Sequence, residues 1–307
     1  MQLNSDICSL ISKFINKPSF ELYNWIPIDK LNWITLSTNV NAIELLKENR
    51  DKINWNLLSC NPNAIELLKE NPDKINWHML STNPNAIELL KENQDKIVWD
   101  VFSSNPNAIT LLTENLDKIN WEHLSANPNA ISIISKNLDK VDWYNLSGNP
   151  NAISILKENI EMVDWNRISY LCKDIKFMRD NIDKLEWKLL SLNPNAIELL
   201  KENPDKINWY NLCDNPASIE LLLENPDKIN WKALSSNSGA INILKENIDK
   251  IDLIYLQCNT SPDVIELLSL YENKLDWTYL SINKHIFKLV DREIEIQQII
   301  EIVLLKK

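Results

Sequence analysis

The chain has 307 residues, of which 44% are hydrophobic and 24% charged, and it carries a net charge of −11. That apolar content supports a packed core and excludes a disordered chain. The acidity is spread along the chain with no block of Lys and Arg, which disfavours nucleic-acid phosphates and anionic membrane surfaces as partners.

Taken in chain order, the first residues, M-Q-L-N-S-D-I-C, lack the basic start and apolar run of a signal peptide. No apolar run approaches the roughly 20 residues of a membrane span. The expectation is an intracellular, cytoplasmic protein. Residues 3–16 read as a capping helix and residues 18–33 as a degenerate repeat, with Phe20, Leu22 and Tyr23 in the apolar places. Together residues 1–28 form the predicted N-terminal cap.

From residue 29 to 290 the chain is a tandem array. Trp33, Trp55, Trp77, Trp99, Trp121, Trp143, Trp165, Trp187, Trp209 and Trp231 recur every 22 residues. Leu253 and Trp277 continue the column, with two extra residues between them. A fixed period in this range marks stacked supersecondary units. With the Trp as slot 0, the unit reads W-x-x-L-S-x-N-P-N-A-I-E-L-L-K-E-N-x-D-K-I-N, as residues 61–98 show. Asn or Asp in slot 21 reads as an N-cap for one short α or 3₁₀ turn, W-x-x-L-S. Asn-Pro in slots 6 and 7 reads as a second N-cap followed by Pro at the first helical position. The strong helix formers A-I-E-L-L-K-E then predict a helix of about nine or ten residues, with Ala, Ile and Leu on one face. Asn in slot 16 is expected to end it in the left-handed conformation. Trp, locked in phase with Leu three residues later, is expected in the core. The Asn columns read as caps and inter-repeat hydrogen-bond ladders.

The fold class predicted is all-α: a capped, elongated α-solenoid of about twelve repeats, each a short α/3₁₀ turn plus a longer helix. At one helix-packing distance per unit it would span on the order of 100 Å. The alternative is a leucine-rich-repeat-like horseshoe, because L-S-x-N resembles that family's L-x-x-N; Pro after the Asn and the run of helix formers oppose it. Three copies deviate. Leu171, Cys172, Lys173 and Asp174 replace Asn-Pro-Asn-Ala, the copy of Trp231 reads N-S-G-A with Gly239, and residues 259–262 hold the two-residue insertion. All read as drift in a redundant array, with a bend or recognition feature as the other reading at Leu171–Asp174. Residues 291–307, D-R-E-I-E-I-Q-Q-I-I-E-I-V-L-L-K-K, read as a C-terminal capping helix.

Catalytic chemistry finds no home in this pattern. Gly148 and Gly239 are the only glycines, so no phosphate-cradling loop exists. His78, His123 and His285 lie in distant copies, and Cys8, Cys60, Cys172, Cys213 and Cys258 occupy unrelated slots. No metal, cofactor or catalytic residue is expected, and the chain reads as a non-enzyme. Slots 1, 2 and 5 vary most. In a repeat array fixed slots build the scaffold and variable slots the binding surface. The candidate stripe for a protein partner is His78, Met79, Asp100, Tyr144, Asn145, Arg167, Lys188, Tyr210, Asn211 and Lys232.

The strings N-P-N-A-I-E-L-L-K-E-N and D-K-I-N-W-x-x-L-S, as at residues 61–81, resemble a tandem-repeat family of the giant DNA viruses of amoebae, the mimivirus relatives. The abundance of Lys, Asn and Ile agrees with an AT-rich genome. The resemblance implies a scaffold that binds host or viral proteins in the host cytoplasm. Two other functions compete on the residues alone: a self-associating structural protein of a viral particle or factory, and small-ligand sequestration in a concave face.

Overall fold

A computed structural model describes residues 19–290. The terminal helices expected at residues 3–16 and 291–307 lie outside the described residues. Every repeat begins with a short α-helix at slot 0, such as Trp55–Leu58, Trp77–Thr82 or Trp165–Leu171. Except before Trp99, where slot 21 is Val98, its N-cap is the slot-21 side chain: Asn54 accepts from the Leu57 N–H and Asp164 from the Arg167 N–H. This satisfies one of the donors that a helix start leaves orphaned.

The second helix is shorter than predicted, spanning Ile65–Lys69 or Ile109–Glu114 and not the whole stretch from the proline. Asn61, Pro62, Asn63 and Ala64 form a separate turn, closed by the Ala64 N–H on the Asn61 carbonyl at 3.1 Å. Pro suits the second position of such a turn. The Asn61 side chain caps the turn at the Asn63 N–H, so the helix begins three residues later. The left-handed ending is also corrected. Among the described residues no non-glycine has positive φ, and Asn71 sits at φ −136°, ψ 60°. Its side-chain amide donates to the Leu67 carbonyl at 2.9 Å, which satisfies an orphan acceptor without backbone strain. A 3₁₀ turn such as Pro72–Lys74, which the sequence pattern does not predict, then leads to the next repeat.

Between the two helices of each unit, Leu in slot 3, Ala in slot 9 and Leu in slot 13 are sealed from solvent, as at Leu58, Ala64 and Leu68. The tryptophans are half-buried, which corrects their placement in the core. Trp packs against the core with one part of its ring, and in every copy but those of Trp143 and Trp209 a slot-19 Lys covers its open face: Lys52 over Trp33 at 4.4 Å, Lys74 over Trp55 at 4.6 Å, Lys250 over Trp231 at 4.4 Å. Cation–π attraction and the apolar Lys stem together shield the ring.

Two ladders join neighbouring repeats. In the first, the slot-21 backbone N–H, at the start of the next short helix, donates to the slot-4 hydroxyl one helix back, as Asn54 to Ser37 at 3.0 Å. All twelve junctions carry this bond, with Cys213 Sγ and Gln257 Oε1 standing in for Ser at two. In the second, buried Asn in slot 6 donates both amide hydrogens to the slot-4 and slot-6 carbonyls of the preceding unit, as Asn105 to Ser81 and Asn83 at 3.1 and 3.0 Å.

These ladders have no free end. Asn32 N–H reaches Ser281 Oγ at 2.9 Å, Asn39 donates to the Ser281 and Asn283 carbonyls, and Lys30 lies over Trp277. The first repeat thus sits on the twelfth as any repeat sits on its predecessor. Strand β1 (Phe20–Leu22) pairs antiparallel with β2 (Phe287–Leu289) across the same junction. The expected open, elongated array is corrected to a closed ring, and the strand-lined horseshoe fails because slots 0–3 are helical. β1 and β2 are the only strands among the described residues.

The ring has an inner and an outer layer. Neighbouring repeats approach most closely through their short helices, including Trp33–Leu36 against Trp277–Ile282 across the junction. The longer helices stand further apart and are spanned by long side chains, such as Arg179 to Glu202 at 2.7 Å and Lys201 to Glu220 at 2.7 Å. Each unit is therefore a wedge with its short helix at the inner radius.

Candidate functional site

On a short helix, 100° per residue places Trp and Leu of slots 0 and 3 on the core side, and slots 1, 2 and 5 about opposite them. Because the core lies outward of the short helices, slots 1, 2 and 5 face the ring axis. His78, Asp100, Tyr144, Lys188, Tyr210 and Lys232, in slot 1, are exposed; Met79, Asn145, Arg167 and Asn211, in slot 2, are half-buried.

The difference has a structural cause. A slot-2 side chain leans onto slot 1 of the preceding repeat. Asn211 donates to the Lys188 carbonyl at 2.8 Å, and Arg167 stacks over the Tyr144 ring at 4.8 Å. His123 Nδ1 lies 2.8 Å from the Asp100 carbonyl oxygen, with the Asp100 carboxylate 3.6 Å away. Thr35 meets the Thr278 carbonyl in the same way, so the stripe also runs through the junction. The structure brings the ten predicted residues onto one axial face.

Applying the same slots to every copy adds residues that the sequence reading did not single out. Tyr170, Tyr255, Tyr279, Ile34, Ile254 and Ile282 all lie on this face, and all but Tyr255 are exposed. Five of the seven tyrosines thus sit in slots 1, 2 and 5, a concentration that a column-by-column count of residue types would have found. The axial charges balance: Arg167, Lys188 and Lys232 against Asp100, Glu122 and Asp214. The surplus of acid therefore lies elsewhere, mostly on the outer layer.

At the junction a cleft of about 360 Å³ opens among Thr38, Val40, Cys258, Thr260, Ile282 and His285. The two-residue insertion borders it. Burial and neighbouring Lys284 hold the His285 imidazole below its ordinary pKa. Elsewhere burial pushes the Cys60, Cys172 and Cys213 thiols up, away from the reactive thiolate.

The break at Leu171–Asp174 has a local explanation. The short helix runs on to Leu171, and Asp174 becomes a direct N-cap that accepts from the Phe177 N–H at 2.9 Å and from Lys157 at 2.9 Å. Hydrogen bonding to Lys157 and to the Phe177 amide lowers its pKa. The Asn ladder is interrupted here and resumes where Asn193 donates to the Ser169 and Cys172 carbonyls. Among the described residues no group of three His, Cys, Asp or Glu could hold a metal, and no helix is long and apolar enough to cross a membrane. No protein-family model, curated protein or solved structure matches the chain.

Proposed function

We propose that the protein is a non-enzymatic interaction scaffold that binds a protein partner along its axial face. One observation carries this reading: the variable slots converge on a continuous surface rich in tyrosine and poor in charge, inside a molecule that is otherwise strongly acidic. Tyr gives large rigid contact area at low entropic cost, and aromatic residues dominate interface energetics. The resemblance to giant-virus repeats makes host or viral proteins the natural partners.

The test is affinity capture from host lysate with wild type, with an axial variant (Tyr144→Ser, Tyr210→Ser, Tyr279→Ser) and with an outer-layer variant (Glu66→Ala, Glu88→Ala, Glu220→Ala). The expected result is a protein retained by the wild type and outer-layer variant and lost with the axial variant. Loss with the outer-layer variant alone would overturn the reading. A second reading, small-ligand sequestration, is favoured by the junction cleft; it predicts a ligand-induced thermal shift that Ile282→Arg abolishes.

A further inference from the structure

Six consecutive repeats along the axial face each carry an aromatic or a cationic group: Tyr144, Arg167, Lys188, Tyr210, Lys232 and Tyr255. The three cations share a property. Among the described residues, no carboxylate lies within ion-pair distance of any of them. The axial acids differ: the Asp100 carboxylate accepts from the Asn120 amide, and Asp214 accepts from Ser236 Oγ at 2.7 Å. Asp100 and Glu122 lie outside this arc, two repeats and one repeat before it.

Arg167 is held in place. Its guanidinium stacks over Tyr144 at 4.8 Å, and Arg167 Nε is the one buried side-chain polar atom without a partner among the described residues. The seat exists because slot 5 of the preceding repeat is Gly148. A Cβ there would stand 2.7 Å from Arg167 Nη2 and 2.9 Å from Nε. Gly148 has ordinary right-handed helical geometry, φ −89°, ψ −7°, so its backbone does not require glycine. Ala126 fills the same slot one repeat earlier. The glycine makes room for the arginine.

A planar guanidinium fixed by stacking is suited to a carboxylate, which it can bind through two parallel hydrogen bonds. Stacking holds Arg167 on Tyr144 and Lys232 on Tyr255 at 5.0 Å without neutralising either, so an incoming acid would find all three cations without a carboxylate partner. We infer that the arc from Tyr144 to Tyr255 selects an acidic peptide segment, its carboxylates taken by Arg167, Lys188 and Lys232 and its apolar side chains by the tyrosines. This rests on the axial face being the binding surface. A nucleic acid is the weaker fit, since three cations on a molecule of charge −11 offer little counterion release.

The test uses the full chain, immobilised and panned against a random peptide library. It is repeated with Arg167→Gln/Lys188→Gln/Lys232→Gln, with Gly148→Ala and with Tyr144→Ser/Tyr210→Ser/Tyr255→Ser, each checked for native helicity and melting. The expected result is enrichment of Asp and Glu by the wild type, lost in the triple Gln variant and weakened by Gly148→Ala. Exchanging the carboxylates of a selected peptide for amides should weaken it about tenfold or more. Peptides with no acidic bias that still depend on the tyrosines would overturn the acidic selection and leave the axial surface standing. No enriched peptide at all would overturn both. Tighter binding of single-stranded oligothymidine than of any acidic peptide would also overturn the inference.

Discussion

Asparagine does three different jobs in each repeat, and only its neighbours tell them apart. In slot 21 its carbonyl oxygen caps a helix, in slot 16 its amide donates to a helix carbonyl, and in slot 6 it ties repeats together. The capping and laddering were legible because Asn recurs in phase beside Pro and before Trp. The geometry in slot 16 was not, because a left-handed residue and a side-chain cap look alike in sequence. Trp was misplaced for a related reason: its phase matches the buried Leu, but a large indole at the edge of a four-residue helix reaches past the core, and Lys closes over it. The ladder can be weighed directly. Asn105→Leu keeps the volume, leaves the Ser81 carbonyl without a donor and the Asn83 carbonyl with only the Ala86 N–H, and removes the acceptor of the Asn107 N–H, a loss of about 2–4 kcal/mol. Asn107 makes a more exposed bond to the Pro84 carbonyl at 2.9 Å, and Asn107→Ala should cost less than about 1 kcal/mol. Urea denaturation midpoints separate the two; equal losses would deny the buried ladder its role. Lys96→Gln, which uncovers Trp77, should cost about 0.5–1 kcal/mol by the same measurement.

At the scale of elements, the two α-helices of each repeat were readable from caps and helix formers, while their lengths were not. Asn-Pro-Asn-Ala is compatible both with a helix start and with a free-standing turn, and the tertiary demand on the slot-6 amide decides for the turn. The 3₁₀ segments escaped because three residues carry no periodicity. The one repeat without an Asn in slot 6 shows what the turn replaces: Asp174 caps Ile175–Asp180 directly. Asp174→Ala should therefore destabilise the protein by about 1 kcal/mol at neutral pH. The sign of the pH dependence follows from its lowered pKa. The folded state holds the carboxylate charged where the unfolded chain would protonate it, near pH 4. The stabilisation is complete above that range and fades as pH falls through the folded value. The stability gap between wild type and Asp174→Ala should thus narrow in acid, whereas Asp174→Asn should keep most of the cap and show a flatter acid response. A gap that widens in acid would contradict the assignment.

For the whole molecule, the period predicts stacking but not curvature, which depends on how much wider each unit is outside than inside. Closure over twelve repeats needs about 30° of rotation per unit, a small angle of the kind that sets the curvature of a repeat array. No single residue encodes it: the short inner helices, the compact Ser and Asn ladders and the long outer ion pairs contribute together. Hints of closure are present in the first and last units, where Phe20, Leu22 and Phe287 keep the apolar pattern of an interior repeat, although a terminal unit of that kind also reads as a cap. In the ring those segments are β1 and β2, with Phe20 opposite Leu289. The Tyr23 to Ile286 and Val290 to Ser19 backbone bonds identify the hydrogen-bonded pairs, so Phe20 and Leu289 form a non-hydrogen-bonded pair, whose Cα atoms lie about 4.5 Å apart. That spacing permits a disulfide. Phe20→Cys/Leu289→Cys, made with Cys258→Ser to remove an exposed thiol, should oxidise to an internal disulfide detectable by non-reducing peptide mapping. By constraining most of the unfolded chain, it should raise stability by roughly 3–5 kcal/mol over the reduced form. In an open array of twelve units the same residues would stand on the order of 100 Å apart and remain free thiols, so failure to form the monomeric disulfide would refute the closed ring.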